Sequence, residues 1–279
     1  MGTRAGTIAS TTGRYAVASL ALLVIGVPVL YGFLNAWKPS GEILLSRFLP
    51  KSPSFDNFAR VLADPRVLRG VLNSFFVCFA ALVLGCALSL LAAIPIARRR
   101  ERIFSLFYLV FLSSMIIPTI SGFVTLYVMM VRLHLVDSTV AVSLLFAVNM
   151  LPIGVLIFTS FVKTVPLEIE EAARIEGCGY FRRIALIVVP LLRAPLMSLV
   201  VLQFPSIWNN FLIPLLFLRT PEKKTLTLLI YNYTRDHESD FGAIFALITL
   251  GMLVPLVLFL FARKQVERSI GITSGGLKG

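Results

Sequence analysis

Four of the chain's fourteen acidic residues, Glu168, Glu170, Glu171 and Glu176, fall within nine positions, with Arg174 among them and Gly177 and Gly179 just after. Carboxylates at that density do not belong inside a bilayer, where a charged side chain costs at least about 2.5–3.5 kcal/mol. The chemistry open to them is ionic: a carboxylate on a short helix anchors a partner through charge-assisted hydrogen bonds. Ala172 and Ala173 follow Glu171 directly, a combination suited to close docking in a cleft around one charged anchor. The stretch from Thr164 to Pro195 is read as a polar island that faces solvent and grips another protein.

The island divides by its own residue types. Pro166 fits a first helical turn, and Glu168, Glu170 and Glu171 favour the positive end of the helix dipole. Gly177 and Gly179 supply a stop and a sharp turn. A second helix is predicted beyond them, with Phe181, Ile184, Ala185 and Val188 on one apolar stripe and Arg182 and Arg183 off it, until Pro190 turns the chain away. A helix-turn-helix lying on a membrane surface explains the stripe equally well. It leaves Ala172 and Ala173 unexplained.

The elements that position this island are apolar. The 279 residues are 57% hydrophobic and 14% charged, outside the usual range of a soluble domain, and the formal charge of +12 gathers at the ends of apolar runs. Basic residues so placed set membrane orientation rather than bind nucleic acid. At about 20 residues per span, six runs emerge, near 15–34, 71–97, 104–130, 140–162, 196–218 and 241–262. Backbone groups in lipid must be satisfied within the segment, and the runs are far too long for barrel strands, so the expected fold is an all-α membrane bundle.

Arg98, Arg99, Arg100 and Arg102 after the second run place that loop in the cytoplasm. The N-terminus (1–14), the island (164–195) and the tail (263–279) then lie on the same side. That side carries fifteen Lys/Arg against six acids, the other eleven against eight. The loop between Trp37 and Gly70 is outside, interrupted by Pro39, Pro50, Pro53 and Pro65. Pro118, Pro152, Pro205 and Pro214 lie in or at the ends of the later runs. They fit either ordinary kinked packing or a bundle that opens around a path.

Absences narrow the function. The runs hold no interior Asp, Glu, Lys or Arg, so a proton relay or ion-coupled carrier lacks its residues. The two histidines, His134 and His237, fall at outer ends, the three cysteines have no metal-ligand spacing, and no phosphate loop or hydrolase motif is present. An enzyme or metal centre is not expected. Energy for uphill transport would enter through the island.

Glu171-Ala172-Ala173, three residues, Gly177, nine residues, then Ile187-Val188-Val189-Pro190 resembles the EAA loop of permease subunits of bacterial ATP-binding-cassette importers. Glu176, Cys178 and Val189 replace the commoner Asp, Ala and Leu. Lys38 with Glu42, Asn73-Ser74, Arg98, Pro118, Trp208-Asn209-Asn210-Phe211 and the tail from Gly271 to Gly279 are similar to maltose-type carbohydrate permeases. His134-Leu135 departs from the family's commoner Gly-Leu.

The resemblance implies a six-span importer permease bundle with a cytoplasmic coupling helix, in a bacterial inner membrane, with both termini cytoplasmic. It implies a second permease subunit, two cytoplasmic ATPase subunits that hold ATP and Mg, and an extracytoplasmic sugar-binding protein; this chain carries no cofactor. Coupling would involve Glu168, Glu171, Ala172, Ala173, Gly177, Cys178, Phe181 and Pro190, and the tail would be a second ATPase contact, although its bare sequence reads as a flexible end. Gln203, Trp208, Asn209, Asn210 and Asn149 are candidate path-lining residues, since amides bond sugar hydroxyls and an aromatic face stacks on a sugar ring. The same residues fit helix-to-helix hydrogen bonding and an interfacial aromatic belt. The alternative substrate is a non-sugar solute such as glycerol phosphate or another polar metabolite.

Overall fold

A computed structural model describes residues 2–45, 47–117, 122–236 and 240–275. Pro118, His237 and the tail residues 276–279 lie outside them. The described residues are helical and contain no strand. In chain order the helices are α1 (Gly2–Asn35), α2 (Ser40–Ile43), α3 (Asp56–Ala63), α4 (Pro65–Arg98), α5 (Arg102–Ser114), α6 (Phe123–Arg132) and α7 (Thr139–Val162). There follow α8 (Leu167–Ile175), α9 (Tyr180–Arg183), a π-helical segment (Ile184–Val188), α10 (Val189–Leu191), α11 (Arg193–Trp208), α12 (Leu212–Phe217), α13 (Leu226–Asp236) and α14 (Phe241–Gly275). Val17–Asn35, Pro65–Arg98, Thr139–Val162 and Phe241–Phe261 are each long and apolar enough to cross a membrane.

Three expectations from the sequence change here. The runs at 104–130 and 196–218 are not single helices: the first divides into α5 and α6, and the second is interrupted between Trp208 and Leu212. The turn assigned to Pro190 falls at Leu192, where Tyr180–Leu191 and Arg193–Trp208 meet at 75°. A proline is tolerated in the first turn of α10, so the helix breaks beyond it. The tail read as flexible continues α14 as helix to Gly275.

The chain forms two compact units. The first, residues 1–67 and 230–253, is pinned by side chains from the loop after α1. Lys38 is fully buried and donates to Asn35 Oδ1 at 2.7 Å and the Arg47 carbonyl at 2.5 Å, while Asn57 Nδ2 donates to the carbonyls of Ala36 and Lys38. Asp240 accepts from Ser40 Oγ (3.0 Å) and Arg60 Nη1 (2.8 Å).

The second unit, residues 68–229 and 254–279, holds the island. Its core is a close crossing of α4 and α7. A Cβ on Gly85 would stand 2.1 Å from Met150 Sδ, and one on Gly154 would stand 2.3 Å from Ser89 Oγ. Residue 85 meets 150 and residue 89 meets 154, so the two helices run parallel. The segment between them must return the chain to its starting end, which is the path α5 and α6 provide.

At one end of this unit Asn73 donates to the Glu222 and Lys224 carbonyls, and the Leu226 N–H donates to Ser74 Oγ. Asp137 completes that end. It accepts from the backbone N–H groups of Arg219 (2.9 Å) and Thr220 (3.0 Å), the Thr220 hydroxyl and Lys223 Nζ (3.0 Å). His134 and Asp137 both adopt left-handed backbone, with φ of 56° and 62°. At position 134 this is a conformation that glycine takes freely and that costs a side-chain-bearing residue about 1–2 kcal/mol.

Burial alone would raise the Asp137 pKa, but the Thr220 hydroxyl, the two backbone N–H donors and Lys223 together hold it well below the usual carboxylate range. A depressed folded-state pKa stabilises the fold above the unfolded value of about 3.9 and loses that contribution as pH falls through the folded value. Asp137→Asn is therefore expected to lower the melting temperature at pH 7, and the gap from wild type to narrow as pH is taken below about 4. A gap independent of pH would refute the clamp.

Candidate functional site

The island lies at the opposite end of the second unit, and one carboxylate organises it. Arg98, the last residue of α4, donates from Nε (2.9 Å) and Nη2 (2.7 Å) to Glu170 Oε1, and from Nη2 to the Val165 carbonyl (2.9 Å). Arg183 Nε, on α9, lies 3.7 Å from Glu170 Oε2. The Arg98 and Glu170 side chains are only 17% and 9% exposed. Two guanidinium groups thus hold one buried carboxylate among α4, the chain after α7, α8 and α9. Beside it is a cleft of about 320 Å³ lined by Pro95, Arg99, Glu171, Arg174 and Tyr180 among others.

Sequence reasoning missed Glu170 and Arg183 as functional residues. It grouped Glu170 with Glu168 and Glu171 at the helix dipole, and placed Arg183 off the apolar stripe. The signal was present in the helical phase, since Glu170 and Ala173 are three residues apart and both are buried. The other face of α8 carries Glu168, Glu171 and Ala172, all exposed, so of the three motif residues Ala173 turns inward.

Pro166 stands as the N-cap of α8, one position before its first turn. The helix ends with the Cys178 N–H donating to the Ala173 carbonyl (2.9 Å) and the Gly177 N–H to the Arg174 carbonyl (3.1 Å). These two bonds form a Schellman motif, which requires left-handed backbone at Gly177, whose φ is 81°. Gly179, expected to share the turn, is extended at φ −65° and caps α9. Cys178 is half-buried between them.

The predicted stripe on the second helix is corrected. Ile184 and Val188 are buried, but Ala185 is exposed and Phe181 is 75% exposed against the edge of Tyr180. The π-helical turn from Ile184 to Val188 accommodates an extra residue, so the i, i+3, i+7 phase of a regular helix does not hold there. Pro190 is half-buried in the short α10.

The candidate path residues separate into two groups. Asn149 and Gln203 line one cavity of about 800 Å³ with Ser114, Ser206, Pro152 and Leu202, drawn from α5, α7 and α11. Four polar side chains there face an otherwise apolar lining. Trp208 does not line it: the ring is 2% exposed, stacked on Phe204 at 5.6 Å and edge-on to Phe75 at 5.0 Å, and its carbonyl accepts from Thr227 Oγ1. Asn209 caps α11, and Asn210 Oδ1 accepts from the Ile213 N–H at the start of α12. The Asn210 amide thus shapes the helix break, while Asn209 takes part through its backbone N–H. Among the described residues no group of His, Cys, Asp and Glu could hold a metal ion.

The chain resembles known proteins over nearly its whole length. It is 29% identical over 259 residues to a putative ABC transporter permease protein of Caldicellulosiruptor sp. (strain Rt8B.4), covering 92% of this chain and 93% of that one. A diacetylchitobiose uptake system permease of Streptomyces coelicolor is 28% identical over 94% of this chain and 89% of its own. A maltodextrin transport system permease of Bacillus subtilis is 26% identical over 95% of both chains. The fold is similar to that of a bacterial ABC transporter involved in import of the acidic polysaccharide alginate, with a TM-score of 0.81, 19% identity and coverage of 95% of this chain and 98% of that one. A family model matches residues 85–272, and the chain belongs to the inner membrane components of binding-protein-dependent transport systems.

Proposed function

We propose that this chain is the permease subunit of an ATP-binding-cassette importer that takes up a carbohydrate delivered by an extracytoplasmic binding protein. It works with a second permease and two ATPase subunits that hold ATP and Mg, and α8 is the surface on which an ATPase subunit docks. The observation that carries the docking reading is the outer face of the island, where Ile175 is 87% and Phe181 75% exposed beside the exposed Glu171 and Ala172. Large apolar side chains beside the exposed carboxylates of Glu168 and Glu171 on a solvent-facing helix match a partner cleft with an apolar floor and a basic anchor. Six spans are assigned to α1, α4, α5 with α6, α7, α11 with α12, and α14, with both termini and the island in the cytoplasm, a reading that the basic excess on that side supports. Alternating access then exposes the cavity holding Asn149, Gln203 and Ser206 to each side in turn.

Relatives named for diacetylchitobiose, melibiose/raffinose/stachyose and maltodextrin support a carbohydrate substrate. The uncharged polar lining of the cavity agrees, because hydroxyls of a neutral sugar pair with amides and serines and need no counter-ion. Selectivity rests largely with the binding protein, so the test is made there. Thermal melting of the cognate binding protein against a sugar panel is expected to give stabilisation of about 2.7 kcal/mol at 100 Kd for one oligosaccharide. Stabilisation by glycerol phosphate or another anionic metabolite and by no sugar would reject the carbohydrate reading.

A further inference from the structure

We propose that the Glu170 carboxylate is the joint that carries displacement of α8 into α4, as well as into the lever formed by α9 to α11. The proposal rests on the reading of α8 as the ATPase contact. An exposed helix face collects a push, but the push reaches the cavity only through groups rigidly shared with the helices around it. Chain connectivity alone takes it backward into α7 and forward through Gly177 into α9. Nothing in the backbone links α8 to α4. The Arg98 fork makes that link twice, to Glu170 on α8 and to the Val165 carbonyl just beyond α7, so α4, the end of α7 and α8 move together.

The opposite side of the carboxylate is built differently. Arg183 Nε lies 3.7 Å from Oε2, beyond hydrogen-bond range, and the buried Nε has no acceptor. The π-helical turn begins at the next residue. A π-helical turn holds one surplus residue that can shift along the helix, so α9 has a local means of closing that gap. Glu170 is thus fixed to α4 and loosely held by the lever, an arrangement with two positions available on one side only. Glu170 and Arg98 are positioning residues: they lie away from the lining of the cavity that holds Asn149 and Gln203, and they decide which helices follow α8.

The test reads nucleotide-driven movement without needing the substrate. In inside-out membrane vesicles carrying the whole transporter with its ATPase subunits, a maleimide labels the thiol introduced by Ser206→Cys, which lines the cavity. Cys178 is kept, the labelling of its half-buried thiol is measured in the chain without Ser206→Cys and subtracted, and Cys78 and Cys86 are buried. Mg-ATP with orthovanadate is expected to change the labelling rate about fivefold or more in this parent. Glu170→Gln should abolish the change while the ATPase subunits remain bound, and Glu170→Gln with Arg98→Met should be no worse than the worse single variant, since both remove one contact. Arg98→Lys keeps the charge but has no planar fork to span both acceptors, and its response should fall part-way.

A parent that shows no response to nucleotide would refute the docking reading and this joint with it. A normal parent response that persists unchanged in Glu170→Gln, or in Arg98→Lys where Glu170→Gln fails to accumulate, would overturn the joint alone. Loss of the ATPase subunits in Glu170→Gln would make Glu170 a docking residue and equally overturn it.

Discussion

A Gly177→Asp permease is expected to reach the membrane in normal amounts and to take up its sugar at background rate. The backbone at Gly177 has φ of 81°, and the two bonds that close α8 exist only with that conformation. A side chain there costs up to about 1–2 kcal/mol, with aspartate at the tolerant end of that range. The position also follows the last carbonyls of α8, the negative end of the helix dipole, where an anion costs a further 0.3–1 kcal/mol or so. At about 1.4 kcal/mol per tenfold in population, the docked geometry of α8 becomes ten-fold or more rarer. Insertion is untouched, because no Cβ neighbour lies within 4 Å and the membrane helices are not involved.

α8 has little to spare. Nine residues are fewer than an isolated helix needs for stability in water, so its order comes from its cap and from the Glu170 contacts. Gly177→Asn, which tolerates left-handed backbone and adds no charge, should retain intermediate uptake. Gly179→Ala should be nearly silent, since that residue is extended and nothing lies within 4 Å of its Cβ. Uptake is measured with the sugar that stabilises the cognate binding protein. Normal uptake in Gly177→Asp would sink the coupling reading. A defect in Gly179→Ala equal to that of Gly177→Asp would mean that the whole turn, rather than its left-handed residue, carries the function.

Much of this was legible in the sequence, for reasons that differ by residue. The island stands out because charge is costly in lipid, and its glycine stop because few residues accept positive φ. The inward and outward faces of α8 were not legible. Glu168, Glu170 and Glu171 are chemically equal, and only the position of Arg98, 72 residues away from Glu170 in the chain, makes one of them structural. The packing of Trp208 was not legible because an amphipathic ring suits a core, an interface or a sugar equally, and Phe75 and Phe204 meet it from other parts of the sequence. The break between α11 and α12 escaped notice because hydropathy averages over a window and is blind to a three-residue interruption. The π-helical turn left no compositional trace: Ile184, Ala185, Leu186, Ile187 and Val188 read as ordinary helix.

Gly154→Ala should cost about 1–3 kcal/mol and leave little of the purified permease monodisperse, because the added Cβ has no room. It would stand 2.3 Å from Ser89 Oγ and 2.7 Å from Ser89 Cβ. The second of these is fixed to the α4 backbone and does not move without the helix. Between membrane helices the attraction comes from packing rather than from expulsion of water, so a contact held apart is lost without compensation. Ser89→Gly removes both offending atoms, and its own hydroxyl is buried without a hydrogen-bond partner, so little is forfeited. Adding Ser89→Gly to Gly154→Ala should therefore restore the melting temperature to near that of wild type, with only Leu199 Cδ2, at 3.2 Å, left to adjust. Failure of the second substitution to rescue the first would show that α4 and α7 do not cross at this point. Rescue would establish the contact of Ser89 with Gly154, and with it the close pair through which Arg98 at one end of α4 and the cavity residues Asn149 and Pro152 on α7 can respond to the same push.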